Sequence, residues 1–289
     1  MFVPSDLHGH TLFSDGRATP EQYVEFRREL GIRAVAIADH DVLRAVPRGA
    51  AAAAAAGMVF VPAVEVTSFI HFGTPDAEQI HILAYYPDAL LRGPRLAATA
   101  LHRRGLRVEA RWRDFVLGWV SSLEEADRAA LSTEGPLEAL PPGEFPALQS
   151  FIDRIVRLRR PLFEAFREHH VRFWEEDRDL FGWEPEEAID AIRADGALDI
   201  VAHPARYRDK ERLQKILLRA SGLEVYTSRH KPEVAASFRA FAEEHRKHWT
   251  ASSDDHQNAR YMRPPSGTPL PTLERILRRP LSLDLVLTA

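Results

Sequence analysis

Short apolar runs alternate with stretches of helical period at the start of the chain. Phe2 to Leu7 predicts a short strand. Pro20 to Leu30 predicts a helix, with Thr19 as N-cap, Pro20 in the first position and Gly31 as the stop. Ala34 to Ala38 is a continuous apolar run, suited to a strand buried on both faces. Ala45 to Ala56 predicts a helix ended by Gly57. Val59 to Val66 and Ile80 to Tyr86 predict two further buried strands. Strand and helix in alternation argue for parallel β/α units.

From Arg95 to about Gly182 the strand pattern stops. Leu101 to Leu123 and Phe151 to Leu180 are charged, arginine-rich and helical in period. Glu134 to Pro146, with its Gly and Pro residues, predicts a loop between them. The region mixes arginines and acids, which fits a solvated helical insert; a face that grips nucleic acid is the sharper alternative. After Trp183 the β/α pattern returns. Helices are predicted over Pro185–Ala194, Asp209–Arg219, Pro232–His248 and Pro271–Arg278. Strands are predicted over Leu198–Ala202, Leu223–Tyr226, Trp249–Ser252 and Leu281–Leu287. The organisation that follows is one barrel-like α/β domain in two parts, 1–94 and 183–289, interrupted by a helical insert at 95–182.

Composition narrows the function classes. Of 289 residues, 45% are hydrophobic and 28% charged, which excludes a disordered or collagen-like chain. No run of apolar residues is long enough to span a bilayer. There is no cysteine, so thiolate metal sites, iron–sulfur clusters and thiol nucleophiles are excluded. The net charge of -4 gives no global field that draws the chain onto nucleic acid. The start carries no secretory pattern, so a cytoplasmic location is expected.

Ligand-type residues gather where predicted strands end. His8 and His10 close the first run and His40 the second. Glu65 lies at the end of the third and His81 within the fourth. His203 closes Ile200–Ala202, and Asp254 and His256 follow Ser252. In a parallel β/α domain those ends share one side, so such residues converge. His8 and His10, two apart on a strand, point the same way. Imidazole and carboxylate donors suit Zn, Mn or Fe. With Asp15 the set has the make-up of a metal centre.

The segments Asp6-Leu7-His8-Gly9-His10 to Ser14-Asp15-Gly16, Ala38-Asp39-His40-Asp41, Val64-Glu65-Val66, His81-Ile82-Leu83, Ala202-His203-Pro204 and Ser253-Asp254-Asp255-His256 resemble the PHP (polymerase and histidinol phosphatase) metal-dependent phosphoesterases. Ser14-Asp15-Gly16 and Ala202-His203-Pro204-Ala205-Arg206-Tyr207 resemble most the branch of nucleotide phosphatases and 5′→3′ exoribonucleases. The resemblance covers roughly 1–90 and 184–270. It implies a distorted (β/α)7 barrel holding two or three divalent ions (Mn, Zn or Fe). Carried over by position, the first ion would take His8, His10, Glu65 and Asp254. The second would take Glu65, His81 and His203, and the third Asp15, His40 and His256. His81 is preferred to His71, because it sits in the apolar run that matches.

The implied reaction is hydrolysis of a phosphomonoester or nucleotide phosphate by a metal-bridged hydroxide, with Glu65 and Asp254 at its centre. Arg206 is expected to grip phosphate, with His230 and Arg17 as further contacts. Asp41 is expected to orient His40. The family's Gly-Arg-Pro-His-type cap segment is absent from Gly93 to Gly182, and His169-His170 reads as cap packing. The insert is expected to cover the pocket mouth; Arg157, Arg159, Arg160 and Arg167 are candidates to reach an anionic substrate, with solvated helix faces as the plainer reading. Three alternatives stand beside a small phosphorylated substrate. One is a 5′→3′ exoribonuclease on short RNA. Another is a catalytically silent PHP interaction module, which the full ligand set argues against. The last is an amidohydrolase, disfavoured because Lys210, Lys215, Lys231 and Lys247 all lie in or beside predicted helices.

Overall fold

Pro4 divides the first predicted strand. β1 (Phe2–Val3) pairs antiparallel with β10 (Thr268–Pro269), while β2 (Ser5–Asp6) pairs parallel with β3 (Ala34–Val35). Proline has no N–H to give a ladder. Its carbonyl still accepts from Arg33 N (2.8 Å) and Ala34 N (3.1 Å). The computed structural model describes residues 1–258 and 267–286.

The first helix, α1 (Pro20–Glu29), starts on a reciprocal cap. Gln22 N donates to Thr19 Oγ1 (3.2 Å) and Thr19 N to Gln22 Oε1 (2.9 Å). α2 (Val46–Ala55) follows, and β4 (Val59–Phe60) pairs parallel with β3. The predicted strand Val59–Val66 is broken before Ala63, and β5 (Ala63–Ile70) begins there.

At β5 the expected parallel pattern fails. β6 (Glu78–Tyr85) returns antiparallel along the whole of β5, from Ala63↔Tyr85 to Ile70↔Glu78. Only residues 71–77 separate the two strands. A parallel crossover needs a dozen or more, so a hairpin is the available connection. β7 (Leu198–Val201) is antiparallel to β6; β8 (Gly222–Tyr226) and β9 (His248–Ala251) then continue in parallel. The pairings form three sheets, β1–β10, β2–β3–β4 and β5–β6–β7–β8–β9, in place of the single closed barrel expected. Their edges meet at two isolated bridges, His40↔Glu65 and Gly9↔Asp255, and at Leu7 N donating to Ala251 O (3.2 Å).

Strand residues alternate between two cores. Ala34, Ala36, Ala38, Leu83, Tyr85, Ile200 and Ala202 face one, and Val35, Ile37, Ile82, Ala84 and Val201 face the other. The second core also takes side chains from α8 (Pro185–Ala194), α9 (Lys210–Arg219) and α10 (Pro232–Glu244). The first takes them from α11 (Leu270–Leu277). In place of the last predicted strand, residues 283–285 form a 3-10 turn, after Leu281 N is held by Glu274 Oε1 (3.0 Å); Leu287 lies outside the described residues.

The stretch between β6 and α8 is helical, as its period predicts. It contains α3 (Ala100–Ser121), α4 (Glu125–Leu131), α5 (Leu148–Arg159), α6 (Phe163–His170) and α7 (Arg178–Phe181). The predicted helix Phe151–Leu180 breaks after Arg159, because Pro161 cannot continue the ladder. These helices share an aromatic core of their own, among them Trp112, Phe115, Trp119, Phe151, Phe166 and Phe173, joined by Phe69 and Phe72 from the β5 end.

Candidate metal centre

The two bridges that join the sheets place the site. His40↔Glu65 sets an imidazole against a carboxylate at one junction. Gly9↔Asp255 brings the His8–His10 segment beside Asp254 and His256 at the other, with Asp254 N donating to His8 O (2.8 Å) and His10 N to Asp255 O (3.0 Å). Glu65 does not lie at the carboxyl end of a parallel strand as expected, and His81, within its strand as expected, is on one that runs antiparallel. Glu65 is near the start of β5 and His81 is in the middle of β6, which runs the other way. Both still reach the common point, because the hairpin lays Thr67 opposite His81. Asp254 (φ 54°) and His203 (φ 30°) hold left-handed backbone, a conformation that L-residues take at a cost.

All nine expected ligands converge. Glu65 is the hub. Its Oε2 lies 3.2 Å from His8 Nε2, 3.4 Å from His10 Nε2 and 3.1 Å from His40 Nδ1. Its Oε1 lies 2.9 Å from His81 Nδ1 and 3.1 Å from His203 Nε2. Asp254 Oδ1 is 3.3 Å from His10 Nε2 and 3.7 Å from His256 Nδ1. Asp15 approaches His10 (3.4 Å), His40 (3.6 Å) and His256 (3.3 Å). Three groups have donor atoms within 4.8 Å of one another: His10, Asp15, His40 and His256; His8, His10 and Glu65; and His40, Glu65 and His81. These groups cut across the three sets carried over by position, with His10, His40 and Glu65 each in two of them.

The donor atoms fit a metal better than they fit each other. His8 Nε2, His10 Nε2, His40 Nδ1 and Glu65 Oε2 are buried, face one another and make no hydrogen bond. Buried polar atoms are ordinarily satisfied. Divalent cations would satisfy these.

A cavity of about 620 Å³ opens onto Asp15, His40, His81 and His256. Its far wall is aromatic and comes from the helical stretch: Trp112, Phe145, Phe173 and Trp174. The Trp174 ring centroid is 6.4 Å from that of His40. Arg206 and Arg229 also line the cavity.

A family profile for the PHP domain matches residues 6–122. The chain carries a PHP domain. A 5′-3′ exoribonuclease Rnm from Salmonella typhimurium is 25% identical over 272 residues, covering 87% of this chain and 85% of its own. A 3′,5′-nucleoside bisphosphate phosphatase from Chromobacterium violaceum is 23% identical over 267 residues, covering 87% and 86%. A candidate metal-dependent phosphoesterase from Bifidobacterium adolescentis shares the fold, with a TM-score of 0.64 at 23% identity over 97% of both chains. The PHP match takes in the segments that contain His8, His10, Asp15, His40, Glu65 and His81. His203, Asp254 and His256 lie beyond it.

Around this cluster sits a layer of buried charge that the sequence reading missed. Glu224 accepts from His203 N (2.6 Å) and Ser252 Oγ, and its Oε1 lies 3.1 Å from His8 Nδ1. Asp39 accepts from Thr11 N (2.7 Å), Thr11 Oγ1 (2.6 Å) and Ser14 Oγ (2.6 Å). Arg27 pairs with Asp6 (3.0 Å) and Asp255 (2.7 Å) behind the site. The available signal was a charged residue inside an apolar strand, as in Gly222-Leu223-Glu224-Val225-Tyr226.

Burial and neighbouring charge set the protonation. Burial, helped by charge on His256, takes His10 down to about 3. Burial takes His81 down to about 4. Burial also opposes charge on His256 and His8. Asp15 outweighs it at His256, which is pushed up to about 9, and Glu65, Glu224 and Asp254 outweigh it at His8, which stands well above its ordinary value. Burial would raise the carboxylates, but the imidazoles around them hold Glu65, Asp15 and Asp254 below the usual range. Burial leaves Asp39 at about 6.

Several other sequence-predicted residues lie elsewhere. His230 is half-buried with Nδ1 2.9 Å from Val225 O and is not among the cavity-lining residues. Arg17 pairs with Asp153 (3.2 Å). Asp41 does not orient His40; its carboxylate is taken by Thr67 N (2.9 Å) and Arg104. Arg157, Arg159 and Arg167 face solvent in pairs with Glu134, Asp127 and Glu164, and Arg160 is exposed. His71 lies 3.6 Å from Asp209, outside the cluster. His169 stacks on Phe115, whereas His170 reaches the cavity wall. Arg229, which the sequence reading passed over, sits 3.3 Å from Asp254 Oδ2.

Proposed function

We infer that this PHP-domain protein is a metal-dependent phosphoesterase that hydrolyses a small phosphomonoester, with a nucleotide as its substrate class. The observation that carries the reading is the set of buried imidazole and carboxylate atoms that converge on Glu65 without hydrogen bonds. His8, His10, Asp15, His40, Glu65, His81, His203, Asp254 and His256 hold two or three divalent ions of the Mn, Zn or Fe type. When bound, such ions lower the pKa of water and neutralise the charge of a phosphate ester.

The chain's own residues do the rest. Glu65 presents one oxygen to His8, His10 and His40 and the other to His81 and His203, so it bridges neighbouring positions. Arg206 and Arg229 stand at the cavity as guanidinium donors for phosphate oxygens. Residues 95–182 act as a cap, because Trp112, Phe145, Phe173 and Trp174 wall the cavity and exclude water from the ester. A cavity of about 620 Å³ suits a small molecule. The relative named as a nucleoside bisphosphate phosphatase supports the nucleotide class. The bridges at His40 and Gly9 support reading the strands as a distorted seven-stranded barrel.

The similarity to an exoribonuclease favours a second reading, removal of nucleotides from short RNA 5′ ends. The deciding experiment reloads metal-stripped protein with Mn2+ and offers it phosphomonoesters, 3′,5′-bisphosphonucleotides and short 5′-phosphorylated RNA. Faster phosphate release from the small substrates supports the first reading. Mononucleotide release from RNA, with small esters left intact, supports the second. No turnover of any of them sinks both.

A further inference from the structure

We propose that Glu224 is a positioning residue that fixes the His8 ring tautomer and the His203 backbone together, and so couples the two sides of the Glu65 hub. The proposal rests on reading this cluster as a metal centre. Glu224 itself is not one of the expected ligands.

The geometry is specific. Glu224 Oε1 lies 3.1 Å from His8 Nδ1 and Oε2 accepts from His203 N at 2.6 Å. Ser252 Oγ donates to Oε1 from the end of β9. The carboxylate is fully buried. β8 carries a register shift between Glu224 and Tyr226, the kind of irregularity that re-aims a side chain beside a site.

Each contact has a consequence for the cluster. A carboxylate only accepts, so His8 must carry its proton on Nδ1 to bond it. That leaves Nε2 as the ring atom facing Glu65 (3.2 Å) and Asp254 (3.7 Å), the position from which it would hold an ion. His203 sits at φ 30° and ψ 57°, a strained backbone that must be held by its surroundings. Its N–H bond to Glu224 supplies such a hold, and its ring then meets Glu65 Oε1 at 3.1 Å. His8 and His203 lie against opposite oxygens of Glu65. One carboxylate therefore aims one donor on each side.

Glu224→Gln separates this role from simple filling of space. The amide keeps the shape but has one acceptor oxygen and one donor nitrogen. If the nitrogen faces His8, the ring must move its proton to Nε2, into the cluster. If it faces His203, two N–H groups oppose each other. Either placement spoils one side of the hub.

The test uses long-range 15N NMR of the Zn2+-loaded full chain, with His8 assigned by its loss in His8→Gln, and Mn2+ binding to metal-stripped protein by calorimetry. The wild type is expected to show the Nδ1–H tautomer at His8. Glu224→Gln is expected to shift His8 toward Nε2–H or weaken Mn2+ binding by about 10–100-fold. A purely structural role would lower Tm with neither change, and that result overturns the proposal. If Glu224→Gln does not fold, the wild-type spectrum still decides, because an Nε2–H tautomer there overturns it too. Neither readout needs catalysis. A protein that binds Mn2+ with the expected tautomer but releases no phosphate would defeat the functional reading and leave this one standing.

Discussion

His40 and Glu65 meet across the junction of two sheets, paired by a parallel backbone bridge and by an Nδ1–Oε2 distance of 3.1 Å. Asp41 N donates to Glu65 O (2.8 Å) and Glu65 N to Asp39 O (3.2 Å), so the backbone fixes this approach before any ion binds. The cluster is preformed by the fold, and five imidazoles share the one Glu65 carboxylate.

Glu65→Gln is therefore expected to keep the fold and lose the chemistry. Gln has no second anionic oxygen for the His81 and His203 side. Phosphate release should fall by about a hundredfold or more, since even changes to groups behind metal ligands cost 10–100-fold. Metal content per chain should fall as well. Circular dichroism, metal analysis and phosphate release together check this. Wild-type turnover with full metal content would remove Glu65 from the centre.

Two glycines on α3 should respond with opposite signs. Glycine to alanine in an exposed helix interior gains up to about 1 kcal/mol. At Gly118 an added Cβ meets nothing within 4 Å, so Gly118→Ala should raise Tm. At Gly105 the Cβ would lie 2.7 Å from Asp41 O, a backbone atom that cannot swing away. There the clash outweighs propensity, and Gly105→Ala should lower Tm and disturb the loop after His40. Thermal melts of the two variants test the contact between α3 and this loop.

The metal-free protein should be most stable near pH 6.5. His10 and His81, depressed to about 3 and about 4, contribute stability above the unfolded histidine pKa that is lost as pH falls toward those values. His256, raised to about 9, contributes stability that is full below about 6.5 and lost as pH rises through its folded value. Each histidine can give a slope of up to about 1.4 kcal/mol per pH unit. Urea unfolding in chelator at pH 5, 6.5 and 8.5 measures both arms. A flat profile would contradict the protonation pattern.

Arg206→Ala should raise KM for a phosphate ester about tenfold, with kcat changed less than about threefold, since a charged hydrogen bond is worth roughly 1.5–3 kcal/mol. Arg206 is exposed where it lines the cavity, so its loss leaves no buried charge of its own behind. Steady-state kinetics at full metal loading decide. An unchanged KM would return Arg206 to the solvated surface.

The clustering of these imidazoles and carboxylates was legible because metal chemistry restricts residue types and short motifs fix their spacing, as in His8-Gly9-His10. The helices were legible from caps and breakers such as Thr19, Gly31 and Pro185. The β5–β6 hairpin was not. Val64 to Ile70 and Ile80 to Tyr85 are buried on both faces, so their hydrophobicity cannot report direction, and the short link at 71–77 was the overlooked clue. Arg157, Arg159 and Arg167 lie on solvated helix faces, the plainer of the two readings that their helical period allows; acids at Glu134, Asp127 and Glu164 hold them outward. Glu224 escaped because one acid in an apolar strand matches no ligand pattern.

The central claim is that the cluster around Glu65 makes phosphoester hydrolysis depend on metal. Metal-stripped protein titrated with Mn2+, while inorganic phosphate release from a phosphomonoester is followed, tests it most directly. Activity should be absent in chelator, rise with added ion and level off at two or three equivalents per chain. Undiminished release in chelator, or none at any loading, would contradict the account.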